Sequence, residues 1–266
     1  MKTFSPTIQA VLEEFTPICR RLAGEQRYAI SVSGSLGKGT WDQRSDIDFR
    51  LFTDQAIPWP WQDADRWSEW NAAVARWKDR GVNVDDIWPR PVADIDTALD
   101  SWLGGEIKPM PVVWTIWGYH ILPDIYSQYV IEDPYQLIAG WKARLSVYPP
   151  ALKQAILKKY TGSLRYWRGD YHYANKVERA DPIFLAGMSS KLVHEVLQIL
   201  FALNETYFVG DGSNLAFTEA FTILPSNFSA RVQAILYPGA ALPEAARSQY
   251  AALLALIDEV LALVEA

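Results

Sequence analysis

Residues 28–52 read YAISVSGSLGKGTWDQRSDIDFRLF, and the fold follows from how this stretch divides. Residues 28–33 (YAISVS) alternate apolar and small side chains and predict a β-strand. Residues 34–40 (GSLGKGT) are glycine-rich and predict a tight turn. Residues 46–52 (DIDFRLF) alternate again and predict a second strand. Side chains alternate across a strand, so Ile47, Phe49 and Leu51 face one side while Asp46, Asp48 and Arg50 face the other. Asp46 and Asp48 then project from one face, roughly 7 Å apart. Two carboxylates that close repel each other unless a cation lies between them. Their hard oxygens suit Mg²⁺, which keeps octahedral geometry and takes further ligands from a substrate phosphate. Gly34-Ser35 ends the first strand, and a glycine there lets backbone N–H groups approach a phosphate with no side chain in the way. Acids, metal and phosphate together describe phosphoryl or nucleotidyl transfer.

Upstream, Ile8, Val11, Leu12, Phe15, Ile18 and Leu22 recur at helical spacing after Ser5-Pro6. Downstream, Pro58-Trp59-Pro60-Trp61 breaks the chain. Residues 62–80 predict a helix with Trp67, Trp70, Val74 and Trp77 on one stripe. Gly81 ends it, and residues 82–88 (VNVDDIW) predict a third strand. Residues 94–103 predict a short helix. Residues 112–122, with 129–131, predict strand at the sheet edge. After Asp133-Pro134 the periodicity is helical throughout, at residues 135–146, 150–176, 182–206, 215–224, 228–236 and 243–265. The expected class is α+β: a small mixed β-sheet head over residues 1–133, then an all-helical domain over residues 134–266.

The run GSLGKGTWDQRSDIDFRLF resembles the signature of the nucleotidyltransferase superfamily related to DNA polymerase β. That signature is an apolar strand, Gly-Ser or Gly-Gly, a gap, then Asp-x-Asp between apolar residues. The gap from Ser35 to Asp46 fits, as do Ile47 and Phe49, and a serine such as Ser45 before the first aspartate is common in the small-molecule branch. A bare Asp-x-Asp is usually a solvated strand face; the ordered, separated parts make this one specific. With a helical second half, the layout resembles the aminoglycoside and lincosamide nucleotidyltransferases. LFALNETYFVGDGSNL, residues 200–215, is similar to a stretch in the helical half of bacterial relatives whose function is mostly unassigned.

The resemblance implies two Mg²⁺ ions on Asp46 and Asp48 and a nucleoside triphosphate, ATP first, as donor. It also implies a third carboxylate from a neighbouring strand, completing the metal site and taking the proton of the attacking hydroxyl. Asp85 and Asp86 are the candidates. If Val82 and Val84 face the core, Asp86 shares their side and Asp85 joins Asn83 on the other; a bulge would reverse this. Asp94 and Asp96 repeat the Asp-Ile-Asp pattern, but after Pro91 they sit at a helix start, where acids suit the dipole. Gly34 and Ser35 are expected on the β- and γ-phosphates, with Ser45 and the turn residue Lys38 beside them. A basic residue from the helical half is implied at the triphosphate, and Lys191 is the candidate.

The acceptor implied is a small hydroxylated molecule of the aminoglycoside or lincosamide kind. The alternatives are a protein or a tRNA end, or a non-catalytic nucleotide-binding module. A net charge of −6 and a pI near 5.2 argue against long nucleic acid as a partner. Cys19 is the single cysteine, so no intramolecular disulfide forms, and its neighbours fit a buried helix position. His120, His172 and His194 lack metal-ligand spacing. Twelve Trp and thirteen Tyr fill a core or line an acceptor groove. With no apolar leader and no apolar run near ~18 residues, a cytoplasmic protein without a membrane span is expected, monomeric or homodimeric.

Overall fold

The computed structural model describes residues 4–59, 61–85, 87–107, 121–210, 214–239 and 242–266. Ser5 starts the first helix: its hydroxyl accepts the Ile8 N–H at 3.3 Å, and Pro6 occupies the first turn, where no N–H is needed. Helix α1 (Pro6–Ala23) ends at Gly24, φ 66°. The chain continues through β1 (Tyr28–Val32), α2 (Gly34–Lys38), β2 (Phe49–Thr53), α3 (Ser68–Asp79), β3 (Trp88–Pro91) and α4 (Val92–Leu103). Then follow α5 (Ile121–Ser127), β4 (Tyr129–Glu132) and α6 (Leu137–Arg144). The strands form one sheet in the order β3-β2-β1-β4; β1 is antiparallel to both neighbours and β2 is parallel to β3.

Register sorts the two faces. Ile30 pairs with Leu51 and Val32 with Phe49, and this apolar face, with Ile47, packs against α1 and α3. Trp70 is fully buried at its centre, its ring edge-on to Phe15 at 4.5 Å and to Phe49 at 5.4 Å. Ser31 pairs with Arg50, and Arg50 with Trp88, on the other face, which is polar and also buried.

Several expected elements differ. Residues 34–38 are one helical turn, not an open loop: burying Leu36 and Gly37 offsets the cost of glycine, and Gly39 at φ 81° ends the turn. The helix expected over residues 62–80 begins only at Ser68. Ahead of it, Gln62 N–H is held by Trp59 O at 2.8 Å and Arg66 N–H by the Asp63 carboxylate at 3.1 Å. The strand expected at residues 82–88 is reduced to a bridge between Ile47 and Val84, and pairing resumes at Trp88. Ile121 and Leu122, expected as strand, open α5, where Pro123 lies in a first turn that needs no N–H; residues 112–120 lie outside the described residues.

Residues 4–100 and Ile121–Val147 group as one compact unit, so α6 belongs with the sheet. Residues 101–107 and Tyr148–Ala266 group as a second. It holds α7 (Pro150–Arg168), α8 (Tyr171–Glu178), α9 (Pro182–Leu203), α10 (Asn214–Thr218), α11 (Phe228–Leu236) and α12 (Pro243–Glu265). The expected run over residues 150–176 divides because Asp170 caps α8, accepting the Tyr173 N–H at 2.8 Å. Helix α9 is packed by α7, α11 and α12. By length and composition it could cross a membrane, but 61% of its apolar window is buried inside the protein. Helix α12 spends its apolar stripe, including Leu253, Leu256, Ile257 and Val260, within the unit. The class is α+β, a small mixed sheet near the N-terminus followed by a helical region.

Trp70→Ala should lower the unfolding free energy by about 3–5 kcal/mol, the range for emptying a buried aromatic site. Urea titration reads this directly; a loss below about 1 kcal/mol would remove Trp70 from the centre of the core.

Candidate functional site

The Gly34-Ser35 and Asp46-Ile47-Asp48 segments are drawn together by backbone. Ser33 N–H donates to Asp48 O at 2.9 Å, setting the start of α2 against the strand that carries the acids. Gly34 has φ 54°, and a Cβ built there would overlap the Asp48 carboxylate, whose Cγ lies 2.7 Å away. Conformation and close approach both demand glycine here. Ser35 Oγ is buried and has no hydrogen-bond partner among the described residues.

Between the two acids Ile47 is fully buried, so Asp46 and Asp48 stay on the opposite side. Asp46 is exposed; the Asp48 side chain is 17% exposed. Ile47 N–H donates to Asn83 O at 3.0 Å, and Asp85 N–H donates to Ile47 O at 3.2 Å, which brings Asp85 alongside. Val84 and Ile87, three residues apart, both enter the apolar core, and the pairing with β2 slips by one residue between Val84 and Trp88. Simple alternation therefore fails in this segment. Asp85 is near enough for its charge to act on both Asp48 and Arg50. Burial pushes the Asp48 carboxyl up to about 6; Arg50 opposes the rise, while Asp46, Asp124 and Asp85 add to it.

Beneath the acids lies an ion pair. Arg50 is 4% exposed and grips Asp124 through Nε (3.2 Å) and Nη2 (3.1 Å), while its Nη1 is 3.8 Å from Asp48. The Arg50 guanidinium also lies over the Trp88 ring at 4.5 Å. Ser33 Oγ donates to Asp124, and Gln128, which accepts from Ser31 Oγ at 2.8 Å, reaches Asp124 at 3.5 Å. Burial alone would raise the Asp124 carboxyl; the charge and hydrogen bonds of Arg50, with Ser33 and Arg90, outweigh it and hold Asp124 well below the usual carboxylate range. Burial lowers Arg90 to about 10, still protonated at neutral pH.

Of the residues expected in the site, Gly34, Ser35, Asp46, Asp48 and Asp85 are brought together. Asp86 lies outside the described residues. Ser45 Oγ donates to Asp42 at 2.9 Å and closes the turn before Asp46. Lys38 ends α2. Lys191 belongs to the second unit, where its ammonium bonds Glu195 at 2.5 Å and Ser163 at 3.1 Å. Asp96 accepts the Trp141 indole N–H at 2.8 Å, a structural contact. Among the aromatics, Trp67 and Trp70 are core, while Trp59 and Trp61 stack at 4.7 Å with Trp61 exposed; Trp114, Trp117, Tyr119 and His120 lie outside the described residues. Sequence reasoning missed Asp124, Gln128 and Ser33. The available signal was Arg50 itself: a cation on the face of a small sheet requires a carboxylate to answer it.

The donors suit a hard divalent cation, since mutually repelling carboxylates gain from one and Asp48 is partly desolvated. Among the described residues, no three His, Cys, Asp or Glu side chains converge closely enough to hold a metal alone. A cation here would take remaining oxygens from a substrate, as Mg²⁺ on a nucleotide does.

The fold and site thus define an α+β protein with an acid pair held against a Gly-Ser turn. Residues 114–210 match a family model described as a domain of unknown function (DUF4037). The match includes Asp124 and α9 and leaves the Gly34–Asp48 stretch outside it. No curated protein matches the chain.

Asp48 binds its proton more tightly folded than unfolded. Its contribution therefore favours the fold at low pH and is lost as pH rises from about 4 to about 6. Without added metal, Asp48→Asn should be more stable than the parent by roughly 3 kcal/mol at pH 7.5, and the gain should vanish near pH 4. Denaturant melts at the two pH values test this; a gain of equal size at both would assign the effect to something other than the buried charge.

Proposed function

We propose that the protein is a Mg²⁺-dependent nucleotidyltransferase that moves a nucleoside monophosphate, AMP from ATP first, onto a hydroxyl of a small molecule. The observation that carries the reading is the close approach of the Asp48 carboxylate to Gly34, the residue before Ser35, whose hydroxyl has no partner among the described residues. A carboxylate pair drawn against a side-chain-free backbone position, with a hydroxyl donor in the adjoining turn, is what a metal-bound triphosphate requires.

Asp46 and Asp48 would hold the metal, with the nucleotide's phosphates supplying its remaining oxygens. Mg²⁺, when bound, would neutralise phosphate charge and favour the ionised acceptor hydroxyl. Ser35 Oγ donates to a phosphate oxygen, and the bare backbone at Gly34 lets that phosphate approach. Asp85 takes the proton of the acceptor hydroxyl. The acceptor oxygen forms its bond to the α-phosphorus as the bond from that phosphorus to the bridging oxygen breaks, and pyrophosphate leaves with the electron pair. Arg50 is tied to Asp124 and orients Asp48.

A second reading, nucleotide binding without transfer, draws on the lack of three converging ligands among the described residues. Incubating the protein with α-labelled ATP, Mg²⁺, a panel of hydroxylated small molecules and a cell lysate separates the readings. Label in small solutes supports the reading above, label in protein or tRNA moves the acceptor to a macromolecule, and Mg-ATP binding heat without labelling supports the second. Asp48→Asn and Asp46→Asn should each reduce transfer by roughly 10²–10⁴-fold. Transfer left intact in Asp48→Asn, or no heat with Mg-ATP in the parent protein, would sink the proposal.

A further inference from the structure

Arg50 has two carboxylates within reach and bonds to one of them. It extends from β2 on the polar face of the sheet, with its guanidinium 4.5 Å over the Trp88 ring. Its Nε and Nη2 donate to the two Asp124 oxygens at 3.2 and 3.1 Å, and Nη1 donates to Phe49 O at 3.2 Å. The same Nη1 stands 3.8 Å from Asp48 Oδ1, inside ion-pair range but too far for a hydrogen bond. The planar fork of a guanidinium fits one carboxylate at a time, and Asp124 holds it.

The Asp124 carboxylate is itself fully engaged. Its Oδ1 accepts from Ser33 Oγ and Arg50 Nη2; its Oδ2 accepts from Arg50 Nε, with Gln128 Nε2 at 3.5 Å. Asp124 is also 6% exposed, so it is not placed to meet a cation arriving from solvent. Asp48 keeps an open side, and among the described residues Arg50 is the cation within ion-pair distance of it.

A buried guanidinium has to be answered by a negative charge. If the charge of Asp124 is removed, Asp48 is the carboxylate already within ion-pair distance of Arg50. An arginine closed on Asp48 opposes a divalent cation in two ways. It occupies the carboxylate oxygens, and it sets an unpaired like charge beside the place the cation would take. With Asp124 present the fork is filled and the arginine charge is largely cancelled.

We propose that Asp124 is a positioning residue for the acid pair: by tethering the Arg50 guanidinium it keeps Asp48 open to a divalent cation. The inference rests on the reading of Asp46 and Asp48 as cation ligands.

The test is isothermal titration of the full chain with Mg²⁺ and the non-hydrolysable analogue α,β-methylene-ATP. Asp124→Asn should weaken binding about tenfold or more, because Arg50 is then released to close on Asp48. The double variant Arg50→Met/Asp124→Leu replaces the pair with apolar residues, a change that buried ion pairs often tolerate. With no arginine to release, it should bind several-fold tighter than Asp124→Asn. A role for Asp124 only in supporting Ser33 and the start of α2 would weaken both variants alike. Unchanged affinity in Asp124→Asn, or equal loss in both variants, overturns the proposal, while binding by the parent leaves the role of the acid pair standing. No binding by the parent overturns the reading of the acid pair and this inference with it. If Asp124→Asn fails to fold, the double variant carries the test, and a loss of about tenfold or more relative to the parent overturns the proposal.

Discussion

A guanidinium buried on the face of a small sheet has to be answered by a carboxylate, and in the first unit Asp124 answers Arg50. Desolvating both ions is costly, and the pair holds only because the remaining donors and acceptors are used. Arg50 gives a third bond to Phe49 O at 3.2 Å. Ser33 donates to Asp124, and Gln128 bridges to Ser31 while its carbonyl takes the Lys142 ammonium. One ion pair thereby ties α5 and α6 to β1 and β2. Because Ser33 is also the residue before Gly34, the same network sets where α2 begins.

The pair also explains the state of Asp48. Arg50 lies only 3.8 Å from it, close enough to neutralise a carboxylate, but the better-directed guanidinium bonds go to Asp124. Asp48 is left with partial burial and with Asp46, Asp85 and Asp124 as like-charged neighbours, so its carboxyl rises while that of Asp124 falls. Two aspartates beside one arginine thus move in opposite directions, because only Asp124 receives hydrogen bonds from it that outweigh burial. The outer one is consequently the acid with most to gain from a cation arriving from solvent.

Much of this was legible in residues 28–52, because strand alternation is a short-range rule. Ile47, Phe49 and Leu51 on one face and Asp46, Asp48 and Arg50 on the other follow from a period of two, and the structure keeps that division. The glycine at position 34 was legible as a close approach but not as the start of a helical turn, since the burial of Leu36 that compensates the glycines is a tertiary effect. Asp124 was not legible at all. It is 74 residues from Arg50, in a segment whose neighbours Ile121 and Leu122 read as strand, and an isolated aspartate carries no periodic mark. Asp85 is set beside Ile47 in a stretch where alternation does not hold: pairing slips by one residue between Val84 and Trp88, and spacing alone does not locate such a slip.

Both units retain polar groups that the fold leaves dissatisfied, and the pattern differs between them. In the first, the cost is a carboxylate raised to about 6 and, in the turn that approaches it, an idle Ser35 hydroxyl. In the second, it is two idle acceptors on α9, Glu195 Oε2 and Gln198 Oε1, beside lysines. A shift of about two pKa units corresponds to roughly 3 kcal/mol, a sizeable share of the 5–15 kcal/mol by which domains are usually stable. Apolar residues of similar volume would remove either cost at little loss to packing. In the first unit the raised carboxylate is the group that a bound cation would relieve, so its cost and the reading proposed above have one physical source.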